Sequence, residues 1–301
     1  MAQTAILPNT PVATGSDSVW PMRLCLVALL AVIAWTFWPT LAELCQKWLH
    51  DPQYSHGLLV PGFAIYLLWA RRDLLRGAGA PQVAVGFACL GLAVVFRIIS
   101  GIFCFEWIDA FALLPCLIGV ALLLGGKPAL RCAWPAIAFL YFMIPMPYRV
   151  ETALSAPLQR LATLGSVFML QSLGQPAIAE GNTIMMNDIK LGVVEACSGL
   201  RMLVTFFTFS TGVAIIIRKP WLEKTCIVLS AVPIALVTNI LRITATGLMY
   251  QQNREFAHVF FHDLAGWFMM PVCLIFLGVE LWMMNRLILQ ESTPRARLQL
   301  A

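Results

Sequence analysis

Long apolar stretches alternate with short polar loops along the chain, and this pattern predicts its helices. A helix needs about 20 mostly apolar residues to cross the hydrocarbon core of a bilayer. The stretches of this kind lie at residues 22–44, 55–70, 82–100, 107–125, 132–147, 199–217, 226–250 and 263–285. The pattern therefore predicts an all-α polytopic membrane protein with about eight transmembrane helices.

The segments at the two ends of the chain add no second domain. Residues 1–20 are polar, and they contain no basic segment ahead of a short apolar core. The first apolar stretch is too long for a cleaved signal peptide, so we expect it to be an uncleaved anchor. We expect one integral membrane domain over residues 1–301, with a cytoplasmic N-terminus at 1–20 and a cytoplasmic tail at 286–301.

Basic residues in the short loops predict the orientation, because loops rich in Lys and Arg stay in the cytoplasm. Most of the 20 basic residues fall in loops on one side of the predicted bundle: Arg23, Arg71, Arg72, Arg76, Lys127, Arg131, Arg218, Lys219, Lys224, Arg286, Arg295 and Arg297. Both termini are therefore expected inside the cell, in agreement with an even number of spans.

That orientation places residues 148–198 on the extracytoplasmic side. The first part, 151–173, is amphipathic, with Leu161 and Phe168 on one helical face and Thr163 and Ser166 on the other. This pattern predicts a helix that lies in the membrane interface or packs against the bundle.

The second part of this segment predicts a β-hairpin. Residues 182–186 and 189–194 are rich in β-branched and apolar residues, and they flank the turn pair Asn187-Asp188. A strand in lipid would leave its backbone groups without hydrogen bonds. The hairpin is therefore expected in water or on the outer face of the bundle.

Composition excludes a single water-soluble domain. Hydrophobic residues make up 60% of the chain and charged residues 12%, whereas a soluble globular chain has about 45–50% and about 25%. The chain has no basic, aromatic-rich patch and no glycine-rich phosphate loop, so neither nucleic acid nor a nucleotide is expected as a partner. No cofactor is expected either.

Ionisable residues beside the apolar stretches are candidates for function, because burying them in a membrane is costly. The segment 195–201 (EACSGLR) lies where the predicted hairpin meets the sixth span. It places Glu195, Cys197 and Ser198 near a helix N-terminus, where the helix dipole favours a thiolate. The alternative interpretation is an ordinary buried cysteine with Ser198 as the helix cap.

Arg242 lies in the outer half of the seventh predicted span, among Val, Leu and Ile residues. Such an Arg costs about 2.5–3.5 kcal/mol on insertion scales. Asn239 lies three residues earlier, on the same helical face, where its amide can orient the guanidinium. A structural Arg that snorkels outward or pairs with Glu195 is the alternative.

Histidines lie at the predicted outer ends of two spans. His258 and His262 are four residues apart, and Asp263 follows His262; this spacing also suits a metal ion. His56 lies in Tyr54-Ser55-His56-Gly57, which is either an interfacial belt or a wall of the same site. Further embedded cations and possible counterions are Arg97, Arg201, Glu106, Asp109 and Glu180.

Cysteine, histidine and arginine side chains at one membrane face suit acyl transfer. A thiolate attacks a peptide carbonyl, a histidine protonates the leaving amine, and an arginine stabilises the developing oxyanion. Such constellations recur on unrelated folds and are recognised by the role of each group.

Three separated stretches in this chain resemble, in order, the signature motifs of the exosortase family: VVEACSGLRML (193–203), ALVTNILRITATGL (235–248) and FHDLAGW (261–267). YSHGL (54–58), IPMP (144–147) and EGN (180–182) match further features of that family. The resemblance covers almost the whole chain after residue 40.

The resemblance implies a cysteine protease or transpeptidase of the bacterial inner membrane, with its active site facing the periplasm. Its substrates would be exported proteins with a PEP-CTERM-type signal, namely a Pro-Glu-Pro-like motif, one transmembrane helix and a basic tail. Such systems accompany exopolysaccharide and biofilm production. Matched to the motifs, Cys197 is the nucleophile, Arg242 stabilises the oxyanion or thiolate, and His262 is the general acid and base. Supporting residues are Arg201, Asn239, Ser198, Glu195, Asp263 and His56.

Two other function classes fit part of the pattern. A transporter or channel also has several spans and buried charges, but those charges usually lie near the bilayer midplane, between paired halves. A metal-binding membrane protein could use His56, His258, His262 and Cys197, although a nearby Arg242 would repel a dication. Cys45 and Cys104 both fall near outer loops, and the sequence leaves open whether they form a disulfide.

Overall fold

A computed structural model of the chain describes residues 20–76, 79–186, 189–192, 199–252 and 265–287. Almost all of these residues are helical. The α-helices are α1 (Trp20–Thr36), α2 (Trp38–His50), α3 (Leu59–Ala70), α4 (Val83–Phe103), α5 (Glu106–Phe139), α6 (Tyr148–Ser172), α7 (Gly199–Ile216), α8 (Trp221–Gln252) and α9 (Ala265–Leu287). Short 3-10 helices span Pro52–Leu58, Arg72–Arg76 and Leu140–Met143.

The first predicted span is two helices, α1 and α2, which meet at an angle of 69°. The break falls at Phe37, two residues before Pro39. Proline lacks an N–H group, and its ring clashes with the carbonyl four residues earlier, so a straight helix cannot continue through this position. Tertiary packing holds the bend, since Phe37 is buried in the core of the bundle.

Helix α5 is broken at Gly126, where the chain reverses direction. Gly126 has φ +62° and ψ −150°, which is not helical. The Phe111 and Tyr141 rings, 30 residues apart in sequence, have centroids 6.1 Å apart and pack edge to face. A continuous helix would place them about 45 Å apart, so the parts of α5 before and after Gly126 form an antiparallel pair.

Substitution of Gly126 by alanine is expected to destabilise the protein strongly. Only glycine readily adopts this backbone conformation, and forcing another residue into it costs about 1–3 kcal/mol. A Cβ atom would also lie 2.2 Å from the Ala80 carbonyl oxygen. We expect a lower apparent Tm in detergent for Gly126→Ala, measured by thermal aggregation. Gly91→Ala is the control, because a Cβ at Gly91 meets no atom within 4 Å; equal Tm values would contradict the expectation.

By length and composition, three helical segments of the described part of the chain could cross a membrane, or four if the bent α1–α2 pair is one span. These segments are Val83–Phe103, Trp221–Tyr250 and Glu106–Met143, the last of which includes the reversal at Gly126. Helix α7 is apolar but shorter. The structure thus shows an all-α membrane protein, and the eight spans remain a prediction.

In place of the predicted two-stranded hairpin, the structure has a three-stranded antiparallel sheet in the order β1-β2-β3. Its strands are β1 (Ile178–Glu180), β2 (Thr183–Met186) and β3 (Ile189–Gly192). Thr183 pairs with Gly192, and Glu180 pairs with Thr183 across a two-residue turn. Gly181 supplies the positive φ, +61°, at the first position of that turn, as such hairpins require.

The sheet packs with α6 and α8 around one small core. Leu170, Ile184 and Ile243, one from each of these three parts, are completely buried. Helix α6 turns its small and polar side, including Thr163 and Ser166, towards the protein. Its apolar side is exposed, because small residues let helices approach closely in a membrane while apolar ones face lipid.

Candidate active site

Arg242 is held inside the protein by helix α8. Its side chain is 4% exposed and that of Asn239 is 2% exposed. The Arg242 Nη2 group donates a hydrogen bond to Asn239 Oδ1 over 3.0 Å. The i, i+3 spacing on one helix brings the two side chains together, as the sequence predicts.

The surrounding elements fix the position of this part of α8. Ser166 of α6 donates a hydrogen bond to the Ile240 carbonyl oxygen over 3.4 Å. A Cβ at Gly165 would lie 2.5 Å from the end of the Ile240 side chain, so α6 and α8 pack closely here. One turn further, Thr246 donates a hydrogen bond to the Arg242 carbonyl oxygen over 2.9 Å. Residues of α6 and α8 together therefore set where the guanidinium lies.

The hydrogen bond to Asn239 orients the buried Arg242 guanidinium. Asn239 Oδ1 accepts one N–H hydrogen bond, which restrains the plane of the fork. A planar fork with fixed orientation can direct two N–H groups at one anion. This arrangement suits stabilisation of an oxyanion or a thiolate in a water-poor site.

His56 lies at the junction of the 3-10 helix Pro52–Leu58 with α7. It is 5% exposed. Its Nε2 lies 3.2 Å from the Phe142 carbonyl oxygen, and its Nδ1 lies 3.4 Å from Thr205 Oγ1. A carbonyl only accepts hydrogen bonds, so Nε2 carries a proton.

His56 therefore joins two helices through both of its ring nitrogens. Its hydrogen-bond partners in the described part of the chain are Phe142, Thr205 and the backbone of Gln53, and none is Arg242. The hypothesis that His56 contributes to a metal site meets the difficulty that neither nitrogen is free to bind an ion in this arrangement. Within the described ranges, no group of three or more His, Cys, Asp or Glu residues could hold a metal ion.

Arg201 lies in the first turn of α7, one turn before Thr205. It is partly buried, and the negative charge of Asp51 acts on its guanidinium. Its Nε is buried without a hydrogen-bond partner, and no described ion pair includes it. The sequence motif marks Arg201 as a supporting residue, but the structure does not show it bonded to Arg242.

Two other charges singled out in the sequence serve packing. Arg97 Nε lies 3.1 Å from Asp109 Oδ1 and joins α4 to α5. Lys47 Nζ lies 2.5 Å from Glu106 Oε2 and joins α2 to α5. These ion pairs explain why charged residues lie within apolar segments, and the explanation needs no catalytic role for them. The Cys45 and Cys104 thiols are both free.

A polar pair that the sequence did not reveal joins the 3-10 helix of His56 to α6. The Tyr54 hydroxyl donates a hydrogen bond to Glu151 Oε2 over 3.2 Å. Burial, and then the negative charge of Glu151, raise the pKa of Tyr54 to about 12. Tyr54 therefore stays protonated and acts as the donor. It also helps to line an apolar cavity of about 250 Å³, which Leu200 and Val204 of α7 enclose on another side.

Several predicted site residues lie outside the described part of the chain, and their placement relative to Arg242 remains a prediction. They are Glu195, Cys197, Ser198, His258, His262 and Asp263. Helix α7 begins at Gly199, two residues after Cys197, and α9 begins at Ala265, three residues after His262.

The comparison with known families agrees with the motifs. A family model described as transmembrane exosortase (Exosortase_EpsH) matches residues 48–279, which is most of the chain. No curated protein and no solved structure matches the chain. The match includes the α7 start, the Asn239–Arg242 pair and the segment before α9. The chain belongs to the transmembrane exosortase family, which comprises multi-pass membrane enzymes of the cysteine protease and transpeptidase type that process protein sorting signals.

Proposed function

We propose that this protein cleaves PEP-CTERM-type signals from the C-termini of exported proteins at the outer face of the bacterial inner membrane. The observation that carries the proposal is the buried Arg242–Asn239 pair within the family match. Burying a guanidinium in an apolar helix is costly, and the hydrogen bond to Asn239 Oδ1 fixes the orientation of its planar fork. Stabilisation of an oxyanion is a function that justifies this cost.

In the proposed mechanism the Cys197 thiolate attacks the carbonyl carbon of the scissile peptide bond. The carbonyl oxygen becomes an oxyanion, which the Arg242 guanidinium stabilises. His262 gives a proton to the leaving nitrogen as the C–N bond breaks, and a thioester to Cys197 remains. Water or an amine then attacks the thioester while His262 accepts its proton, and the Cys197 thiolate leaves.

The substrate and the topology form the finer part of the proposal. Eight spans with both termini in the cytoplasm place Cys197, Arg242 and His262 at the periplasmic face. A substrate helix lies beside the enzyme in the lipid, and its basic tail remains in the cytoplasm under the positive-inside rule. An association with exopolysaccharide and biofilm systems belongs to the same proposal.

Co-expression with a tagged exported protein that bears a PEP-CTERM-type tail tests this function. We expect a shorter tagged band only when enzyme and tail are both present, as seen by immunoblot. The control is the same tagged protein with an unrelated transmembrane anchor. Cleavage of both proteins, or of neither under conditions where both are expressed in the membrane, would overturn the proposal.

A reporter fused after Asn187 tests the topology. Residues 148–198 are predicted outside, so alkaline phosphatase at this position is expected to be active and a cytoplasmic reporter such as β-galactosidase inactive. Fusions after Arg286 should show the opposite activities, because that end is predicted in the cytoplasm. A cytoplasmic signal at Asn187 would contradict the predicted number and order of spans.

A further inference from the structure

An open apolar groove runs between α3 and α7. It encloses about 430 Å³ and is lined mainly by Leu59, Gly62, Phe63, Phe139, Gly212 and Val213. His56 and Thr208 are the polar side chains in its lining. From Thr208 to Ile216, its α7 wall is about 12 Å long, less than half the thickness of a bilayer core.

One glycine of this groove, Gly62, leaves room for another helix. A Cβ atom at Gly62 would meet no atom within 4 Å, so the space above it is open. Gly212 on the opposite wall is packed closely against Phe63 and Phe139, with distances of 3.2–3.5 Å from its ideal Cβ to ring atoms. Small residues on a helix surface let a second transmembrane helix approach closely.

A positive charge lies on α7 beyond one end of the groove. Arg201, Thr205, Thr208 and Gly212 recur at helical spacing on one side of α7, and Thr205 contacts His56 at the end of the groove. Arg201 lies one turn beyond Thr205; its Nε is buried without a hydrogen-bond partner, and no ion pair of the described residues includes it. A partly buried cation in this position favours an anion on whatever fills the groove.

We propose that this groove binds the transmembrane helix of the substrate and that Arg201 binds a carboxylate just outside that helix. This inference rests on the proposed function. The shape and charge of the site match such an occupant, because it combines an apolar groove with a cation beyond one end. Helix α7 begins two residues after Cys197, so a helix bound here has its end beside the segment that carries the nucleophile.

Filling the groove tests the first half of the proposal. Gly62→Leu adds a side chain to open space, so it obstructs the groove without a clash inside the protein. We expect at least about a tenfold loss of processing rate, since a displaced substrate loses its positioning. Gly91→Leu is the matched control, because Gly91 lies on α4, away from the groove, and its Cβ also meets no atom.

The outcomes separate this inference from the proposed function. Processing by the wild type and by Gly91→Leu but not by Gly62→Leu supports the groove, provided that all three proteins have equal amounts in the membrane and equal Tm values. Equal processing by all three overturns the groove and leaves the proposed function intact. A wild type that never processes the tail overturns the proposed function itself.

A photoreactive amino acid at position 62 distinguishes a substrate helix from lipid. In the Cys197→Ala background, which is expected to leave substrate intact, p-benzoylphenylalanine at this position should crosslink to the tagged substrate. The same amino acid at position 91 should crosslink much less. Equal crosslinking at the two positions would show that lipid or chance encounters occupy the groove, and it would overturn the proposal.

Arg201→Gln, combined with a substrate variant, tests whether Arg201 binds a carboxylate of the substrate. We expect about a tenfold loss in kcat/KM, as for one charge-assisted hydrogen bond. Replacing the acidic residue beside the substrate helix by its amide should cause a similar loss, and the two changes together should cost little more than either alone. If the losses of the two single changes multiply in the combination, Arg201 does not bind the substrate carboxylate but contacts a lipid phosphate or serves packing. That result would overturn the carboxylate part of the proposal. Arg149→Gln, which removes an exposed charge, is the control.

Discussion

Replacement of Cys197 by alanine is expected to abolish processing of a tagged substrate while the protein remains in the membrane. The expectation follows from the proposed mechanism, in which the thiolate forms the covalent intermediate. Loss of the nucleophile in a protease that also forms an acyl-enzyme lowers kcat by a factor of about 10⁶. The residual rate comes from the oxyanion hole and from substrate binding. In an immunoblot this residual rate amounts to no detectable product.

Two further variants make the Cys197 result specific. Cys226→Ala removes an exposed thiol from α8, so it controls for the general effect of losing a cysteine, and full activity is expected. Cys197→Ser keeps a weaker nucleophile and is expected to be inactive or nearly so. Full processing by Cys197→Ala would show that another group attacks the substrate, and the proposed mechanism would be wrong.

A thiol-reactive probe reports the same cysteine independently of any substrate. If the start of α7 and a nearby guanidinium favour the thiolate, Cys197 reacts at a pH below that at which an ordinary thiol reacts. Alkylation followed over a pH series, with Cys226 as the internal reference, measures this difference.

The part of the site that sequence reasoning predicted correctly depends on local geometry. Asn239 and Arg242 lie three residues apart in a helix, and this spacing alone brings their side chains to one face. The motifs also identified the family, because three separated stretches matched in order. Neither inference needed knowledge of how distant helices pack.

The features that the sequence did not reveal depend on contacts between distant segments. The hydrogen-bond partners of His56, which are the Phe142 carbonyl and Thr205, come from segments distant in sequence, and its motif predicts neither of them. The two interpretations of His56, a wall of the site or part of an interfacial belt, both remain predictions. The outward-facing apolar side of α6 follows from packing in a membrane, which inverts the rule for soluble helices. The strand β1 was missed, although Gly181 is a local signal for the turn that joins it to β2.

Replacement of Arg242 by lysine is expected to slow processing strongly, although less than loss of the nucleophile. Lysine keeps the charge but offers a compact ammonium instead of a planar fork, so it cannot both bond to Asn239 Oδ1 and direct two N–H groups at an oxyanion. Removing one good oxyanion donor costs about 10²–10³ in kcat. We expect a loss of at least this size for Arg242→Lys, measured as initial rates in membranes. Arg160→Lys, an exposed position on α6, should keep wild-type activity.

Asn239 variants separate the positioning of Arg242 from a general role in folding. Asn239→Ala removes the acceptor 3.0 Å from Arg242 Nη2, so the guanidinium keeps its charge but loses its restraint, and kcat should fall with KM little changed. Asn239→Asp keeps an acceptor oxygen but draws the guanidinium into an ion pair, which competes with an oxyanion and should also lower kcat. If Asn239→Ala lowers only the amount of folded protein, Asn239 acts in packing alone. A near-wild-type rate for Arg242→Lys would mean that the buried guanidinium stabilises the fold and not the transition state, and the catalytic role would pass to another cation.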